Sequence, residues 1–540
     1  MSASSKKKLR NAQQAEKMTE KQLAEQQEAK KLKLYSTLAV VILIALVVFA
    51  AYIGISKTVT SSGIRERNTV ALTIGEEKIS NAELNYFFVD AVNTFYSNYG
   101  SYASLMGLDT TKPLDEQIIN EETQETWADD FMNSAIENAK ATYALVNEAK
   151  ANGYTLPEEA IAELDSSFST MALYANLYGY PDVESYVKTI YGYGASEESL
   201  RAYNEKLALA SHYQQHYIDS MTYTDSDLRA AEEANYNKYT SYNYNYYYLN
   251  IYNFIESESE TTDYTDEQIE VGIMKAEDAA KSLTTGISTV AELDAALAAL
   301  PVNAGKENVT SFVSEDVSYS NLYTGYAEWM ADSSRKSGDM TYVPSTTTTV
   351  DANGNEVEQI IGFYVVMFNS SNDNTYPLAN VRHILAAYEG GTTDSTTGVT
   401  TYTDEEKAAA KAAAEEIYNE WKNGAATEES FAQLANEKSA AGNGTTGGLY
   451  ENVYPGQMVG AFEDWCFDDR KVGDTGIVET EYGYHVMYYC GDSETTYRDY
   501  LITNDLTNAD YSAWYTALLE AVTATEGNTK YISTSLIIGG

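Results

Sequence analysis

The chain has 540 residues, 44 % apolar and 12 % aromatic, which excludes a mostly disordered polymer. A chain of this length is too long for one hydrophobic core, so several domains are expected. Its formal net charge of −45 repels nucleic acid and anionic lipid, so nucleic-acid binding is set aside; the acids read as a solubilising surface or one that favours basic client polypeptides.

Residues 1–33 hold nine Lys/Arg against four Glu. They precede Leu34–Ile55, an uncharged and largely apolar run of 22 residues. A bilayer core needs about 20 such residues in a helix. The pattern predicts a basic cytoplasmic segment (1–33), one transmembrane helix (34–56) and an extracytoplasmic remainder. A cleaved signal peptide is the competing reading, with a shorter apolar region and Gly54-Ile55-Ser56 as a weak cleavage site. No cysteine lies nearby to carry a lipid.

Beyond a polar linker, Val70, Leu72 and Ile74 alternate before Gly75-Glu76-Glu77-Lys78 and Ile79, which predicts two short strands around a turn. Asn81 is the expected helix cap, with Glu83 in the first turn. Residues 81–235 are helical in pattern, broken at Gly100, Pro113, Gly153, Pro157 and Gly179–Pro181. The start is similar to the amino-terminal chaperone module of the SurA/PrsA-like foldases, which would make 57–242 a chaperone-like helical module. His212 and His216 lie four apart, a spacing that can present two imidazoles to a metal. With no third ligand evident, a solvated or packed helix face is the better reading, and no metal is expected.

Residues 236–252 contain eight tyrosines in seventeen positions. Their alternation favours a strand with one packed face over a sticky surface for unfolded clients. Residues 243–370 read as a faded copy of a later region. Thr265-Asp-Glu-Gln268 opens a helix as a capping box, as Thr403-Asp-Glu-Glu406 does. Ala327–Val343 parallels Phe462–Val478, with Trp329 matching Trp465 and Gly338-Asp339 matching Gly473-Asp474. Gly362–Phe368 parallels the run around His485 and places Tyr364 where that run has the histidine. The repeat predicts two related domains, 243–370 and 379–492, the first lacking the histidines.

In the later region His383 lies in VRHIL (Val381–Leu385) and His485 in YGYHVMYY (Tyr482–Tyr489). Between them come an Ala/Glu-rich helix, FAQLANEKS, the glycine cluster GNGTTGGLY, GQMVGAF and KVGD. In that order, over residues 379–492, they resemble a parvulin-type peptidyl-prolyl isomerase domain. The resemblance implies a membrane-anchored foldase of the PrsA/SurA-like family, acting on X–Pro bonds of exported polypeptides without a cofactor. It places a proline pocket on Leu449, Met458 and Phe462, and a hydrogen-bonded pair His383–His485 with Thr480. From the residues alone, Met458 and Phe462 also fit an ordinary helix core, and the histidines a structural pair that keeps the sheet in register. Two departures stand out: Ala441 replaces the Asp or Cys expected two residues after Ser439, and Gly-Gly-Asp-Leu reads as a shortened Gly447-Gly448-Leu449. Both point to weak catalysis, and the alternative is a non-catalytic holdase chaperone using the parvulin-like domains only for client binding. A surface adhesion or wall-scaffold protein accounts for the acidic, Tyr-rich composition but not for the ordered motifs.

Cys466 and Cys490, the only cysteines, read either as an extracytoplasmic disulfide or as two small buried thiols. Residues 493–540 are expected as a carboxy-terminal helix followed by a strand in TKYISTSLII, which by the resemblance packs on the amino-terminal module. The fold class expected is α+β multidomain: one transmembrane helix, the helical module, two parvulin-like α/β domains with the first degenerate, and the carboxy-terminal helical segment. Expected partners are unfolded or newly exported polypeptides and, through residues 34–56, the membrane; a homodimer is left open.

Overall fold

The computed structural model describes residues 6–8, 59, 61–256, 264–350, 355–394, 397–441 and 446–538. The apolar run 34–56 lies outside them. Among the described residues, no helix is long and apolar enough to cross a membrane. The protein is a mixed α/β multidomain chain that divides into two compact units: Met1–Met221 with Asp510–Gly540, and Thr222–Ala509.

The first unit is helical around a small sheet. Val70–Ile74 pairs with Glu77–Ser80 on one side and with Ala524–Glu526 on the other, all antiparallel. The helix Asn81–Tyr99 is capped by Ser80 and not by Asn81: the Ser80 hydroxyl accepts from the Glu83 N–H at 3.2 Å. Asn81 is buried and instead donates through its amide to the Thr69 and Asn528 carbonyls. Leu84, Phe87, Phe88 and Val92 follow helical spacing and enter one core with Leu72, Ile74, Trp127 and Phe131. His216 stacks on Tyr154 with ring centroids 4.8 Å apart, a packed helix face.

The stretch TKYISTSLII is not a strand. Its backbone is held by side chains: the Tyr531 and Ser533 N–H groups donate to the Asn81 and Asn85 side-chain oxygens at 3.1 and 2.8 Å. The carboxy-terminal strand is the shorter Ala524–Glu526 upstream.

The second unit holds two four-stranded antiparallel sheets. The first comprises β1 (Ser241–Asn250), β2 (Phe312–Ser318), β3 (Met340–Val350) and β4 (Glu356–Asn372), in the order β2-β1-β4-β3. The second comprises β5 (Pro377–Ala387), β6 (Leu449–Val453), β7 (Thr475–Thr480) and β8 (Gly483–Thr496), in the order β6-β5-β8-β7. The order is the same in both.

The helices repeat as well. Asp266–Leu283 and Val290–Ala299 precede β2, and Asp404–Asn423 and Glu428–Lys438 precede β6, each opened by a threonine capping box. A short helix comes after the second strand of each sheet, Thr324–Met330 and Gly460–Phe467. Arg335 lies over the Trp329 ring and Arg470 over the Trp465 ring, both at 4.7 Å. The turns Lys336–Asp339 and Lys471–Asp474 are closed by the same aspartate-to-backbone bond, 3.0 and 2.9 Å.

Strand alternation gives each sheet two apolar faces. In the second, Ile384, Ala386, Val486 and Tyr488 pack on the paired helices through Trp421, Phe431 and Leu434. Val381, Met487 and Tyr489 pack on the other face with Phe462, Trp465 and Cys466. Cys490 joins the first cluster and Cys466 the second, so the sheet separates them and both are free thiols. Burial pushes each thiol up to about 12.

Candidate active site

His383 and His485 stand on the two central strands of the second sheet. Residue pairing sets His485 opposite Leu385 and His383 opposite Met487, so the two imidazoles are diagonal neighbours on one face. Their Nδ1 atoms lie 3.0 Å apart. His485 Nε2 lies 2.9 Å from Thr480 Oγ1, at the end of β7. Thr480 Oγ1 also accepts from the Tyr482 N–H at 3.2 Å.

The histidines are 3 % and 5 % exposed. Burial, reinforced for His383 by the neighbouring imidazole, lowers its pKa to about 3, and burial lowers that of His485 to about 4. Both rings are therefore neutral near pH 7. An Nδ1–Nδ1 hydrogen bond between neutral rings holds one proton between them, since one nitrogen must donate and the other accept. The pair is a fixed dipolar unit with no net charge.

The wall over this pair is aromatic. Phe462 meets both imidazoles edge-on, at 5.3 Å from each and interplanar angles of 84° and 87°. It is 2 % exposed, and Met458 packs half-buried beside the same cluster. The helix Gly460–Phe467 sets this by its periodicity, with Phe462 on the sheet side together with Trp465 and Cys466.

Leu449 is not brought to the histidines. It pairs with Arg382, whose side chain reaches Glu428 on the helix face of the sheet, and paired residues share a face. Tyr450 takes the place expected of Leu449: it pairs with Val381 and stacks on His383, centroids 5.1 Å apart at 29°. The turn is thus not shortened. Leu449 stands where the family's Asp is expected and Tyr450 where its Leu is. The signal lies in the alternation of the edge strand, because Val381 and His383 face one way and a residue opposite Val381 must face with them.

Ser439 ties its segment to β5. Its hydroxyl accepts from the Leu385 N–H at 3.1 Å and the Ala441 N–H at 3.3 Å, and the Ala440 N–H donates to the Leu385 carbonyl. Ala441 brings no polar side chain there. Residues 442–445 of the glycine cluster lie outside the described residues. Among the described residues, no group of three or more His, Cys, Asp or Glu side chains is placed to hold a metal.

Residues 366–489 match the family model described as the PPIC-type PPIase domain. This segment is a parvulin-type peptidyl-prolyl isomerase domain. No curated protein matches the chain. Among solved structures, the chain is similar to a peptidylprolyl isomerase (PrsA) of Bacillus anthracis at 21 % identity, over 28 % of this chain and 59 % of that one, with a TM-score of 0.18. PrsA of Bacillus cereus is 24 % identical over 28 % of this chain and 50 % of its own, at 0.17. A Campylobacter jejuni structure described as a SurA-like chaperone is 14 % identical over 56 % and 82 %, at 0.14. The chain thus spans less than two thirds of the length of the first two. The PPIase domain supplies both strands that carry His383 and His485, and its arrangement suits amide rotation. That rotation has a barrier of about 18–20 kcal/mol and needs neither nucleophile nor metal.

Proposed function

We propose that this protein is an extracytoplasmic, membrane-anchored foldase that accelerates cis/trans isomerisation of X–Pro bonds in exported polypeptides. One observation carries the catalytic part: a neutral, buried His383–His485 pair, tied to Thr480, under the aromatic wall of Phe462 and Tyr450. A proline ring is apolar and fits against such a wall. A twisted amide, its nitrogen no longer conjugated with the carbonyl, is stabilised by fixed dipoles that need not reorganise. His383, His485 and Thr480 supply that field, and Phe462, Tyr450 and Met458 hold the ring. The anchoring part rests on the uncharged run 34–56 behind a basic segment.

The full-length chain, in detergent, should accelerate cis/trans exchange of a proline peptide, with Phe462→Ala and His485→Ala reducing the rate. A rate equal to the uncatalysed one for the parent chain would overturn the catalytic reading. Labelling from the two sides of a sealed membrane vesicle tests orientation: cysteines placed in residues 61–538 should react only from outside the cytoplasmic face.

A second reading, a holdase, is favoured by a groove in the first unit. It has a volume of about 420 Å³ and is lined by Met171, Tyr174, Tyr186, Val187 and Ile190. Leu173 and Leu177, on the helix Glu158–Leu177 that carries Met171 and Tyr174, are 68 % and 73 % exposed. Suppression of client aggregation that survives Phe462→Ala would assign that activity to this unit.

A further inference from the structure

The turn that delivers Tyr450 to His383 is unusual in its backbone. Gly447 and Gly448 both adopt left-handed conformations, φ +65° and +68°. There is no room for side chains: a Cβ on Gly448 would lie 2.2 Å from the His383 carbonyl oxygen, and one on Gly447 2.7 Å from Ala432 Cβ and 2.8 Å from Arg382 Nη1. The carbonyls of Thr446, Gly447 and Gly448 along this turn all need hydrogen-bond partners. Arg382 supplies them on one side. Its Nη1 donates to the Thr446 and Gly447 carbonyls, each at 3.0 Å, while its Nε donates to Glu428 Oε1 at 3.0 Å.

The turn is fixed at two further points. The Gly447 N–H donates to Asn436 Oδ1 at 2.7 Å, and the His383 N–H donates to the Gly448 carbonyl at 2.9 Å. Glu428 and Asn436 belong to the helix Glu428–Lys438, so Arg382 clamps the turn between that helix and β5. Tyr450 lies two residues beyond Gly448. Any drift of the turn is passed directly to the ring that lies on His383, because only Leu449 intervenes.

We propose that Arg382 is a positioning residue for the proline pocket, holding the double-glycine turn so that Tyr450 lies flat on His383. The proposal rests on the isomerase reading of this domain. A planar guanidinium can meet two carbonyls and a carboxylate at once from a fixed fork. A lysine ammonium on a flexible stem meets them without that geometry.

The test uses the full-length chain and a proline peptide. Arg382→Ala should raise KM by about tenfold with kcat nearly unchanged, since the wall is displaced but the histidine pair and Thr480 are not. Arg382→Lys should fall between parent and Arg382→Ala, and it carries the test if the alanine variant fails to fold. In a Tyr450→Ala background, Arg382→Ala should add little, as two residues acting through one contact are not additive. The His383 ring-proton shifts, which sense the Tyr450 ring, should move in Arg382→Ala. An unchanged KM, or a full effect of Arg382→Ala persisting without Tyr450, would overturn the proposal. Should the parent chain show no isomerase activity, the functional reading fails by itself; the His383 shifts then still decide whether Arg382 positions Tyr450.

Discussion

The two sheets of the second unit have one topology and opposite contents at one place. In the second sheet His485 pairs with Val478 across to β7, and His383 pairs with Met487. In the first, Tyr364 pairs with Val343 and Tyr246 with Val366, the same two register positions. Around them Tyr326 stands where Phe462 does, and its hydroxyl bonds to that of Tyr244 at 3.2 Å. Tyr246, Tyr323 and Tyr326 all lie within 6.2 Å of the Tyr364 ring centre. One sheet keeps two small rings with two nitrogens each, packed by Phe462 and Tyr450; the other places its own phenols at the same positions. A shared backbone is therefore compatible with either a buried histidine pair or a cluster of phenols at one place, and side-chain identity decides which.

The largest effect is expected of Phe462→Ala. Removing a ring that is 2 % exposed and touches both histidines should cost about 3–5 kcal/mol of stability and abolish measurable exchange catalysis. Urea unfolding and a proline-peptide assay check the two effects. His485→Ala comes next: it removes the partner shared by His383 Nδ1 and Thr480, and should lower kcat/KM by roughly tenfold to a hundredfold. Its stability loss, from a buried polar group deprived of that partner, should be about 1–3 kcal/mol in the same urea titration.

Tyr364→His probes the contrast from the other side. Introduced together with His383→Ala, it should restore no exchange activity, because Tyr246 and Tyr326 still occupy the space a proline would need. Any gain in rate would show that the first sheet is closed by one residue alone.

The pH dependence comes from the lowered histidine pKa values. The unfolded chain binds protons on these rings from about pH 6.5 downward, while the folded protein binds them only near pH 4 and 3. The unfolded state thus gains protons first, and stability falls as pH drops from about 6.5 towards 3. Above pH 6.5 this contribution is fully present. Thermal midpoints between pH 8 and 4 should show the decline, and His383→Ala, which leaves a single ring, should show a smaller one. The exchange rate itself should stay flat from pH 8 to about 5 with no inflection near 6.5, since the pair remains neutral throughout. The smallest effect expected is that of reductant: with Cys466 and Cys490 on opposite faces of the sheet, it should leave the thermal midpoint unchanged.

Much of this second unit is legible in the sequence because its signals are local. Capping boxes at Thr265, Thr289, Thr403 and Thr427 mark helix starts through bonds made within four residues. The Arg-Lys-x-Gly-Asp run recurs as Arg335–Asp339 and Arg470–Asp474, so the repeat can be aligned without coordinates. Tyr450 escapes such reading because residue counting cannot say which face an edge strand turns to its partner. That depends on the pairing of Tyr450 with Val381 across β5 and β6. The cap at Ser80 and the end of the chain escape it for a related reason: Asn81 and Asn85 spend their side chains on the Asn528–Ser533 backbone, more than 400 residues away.

The doubling of one order of strands and helices and the copy that keeps the histidines are written in the amino-acid sequence. These are properties of periodicity and residue identity, which neighbours along the chain suffice to express. Tertiary contacts alone settle that the two Nδ1 atoms meet at 3.0 Å, that Tyr450 is the wall and Arg382 bonds the turn before it, and that the cysteines are kept apart. Each of these is a relation between strands or between a strand and a helix, set by register and by which face a side chain takes, and register is a relation between distant segments.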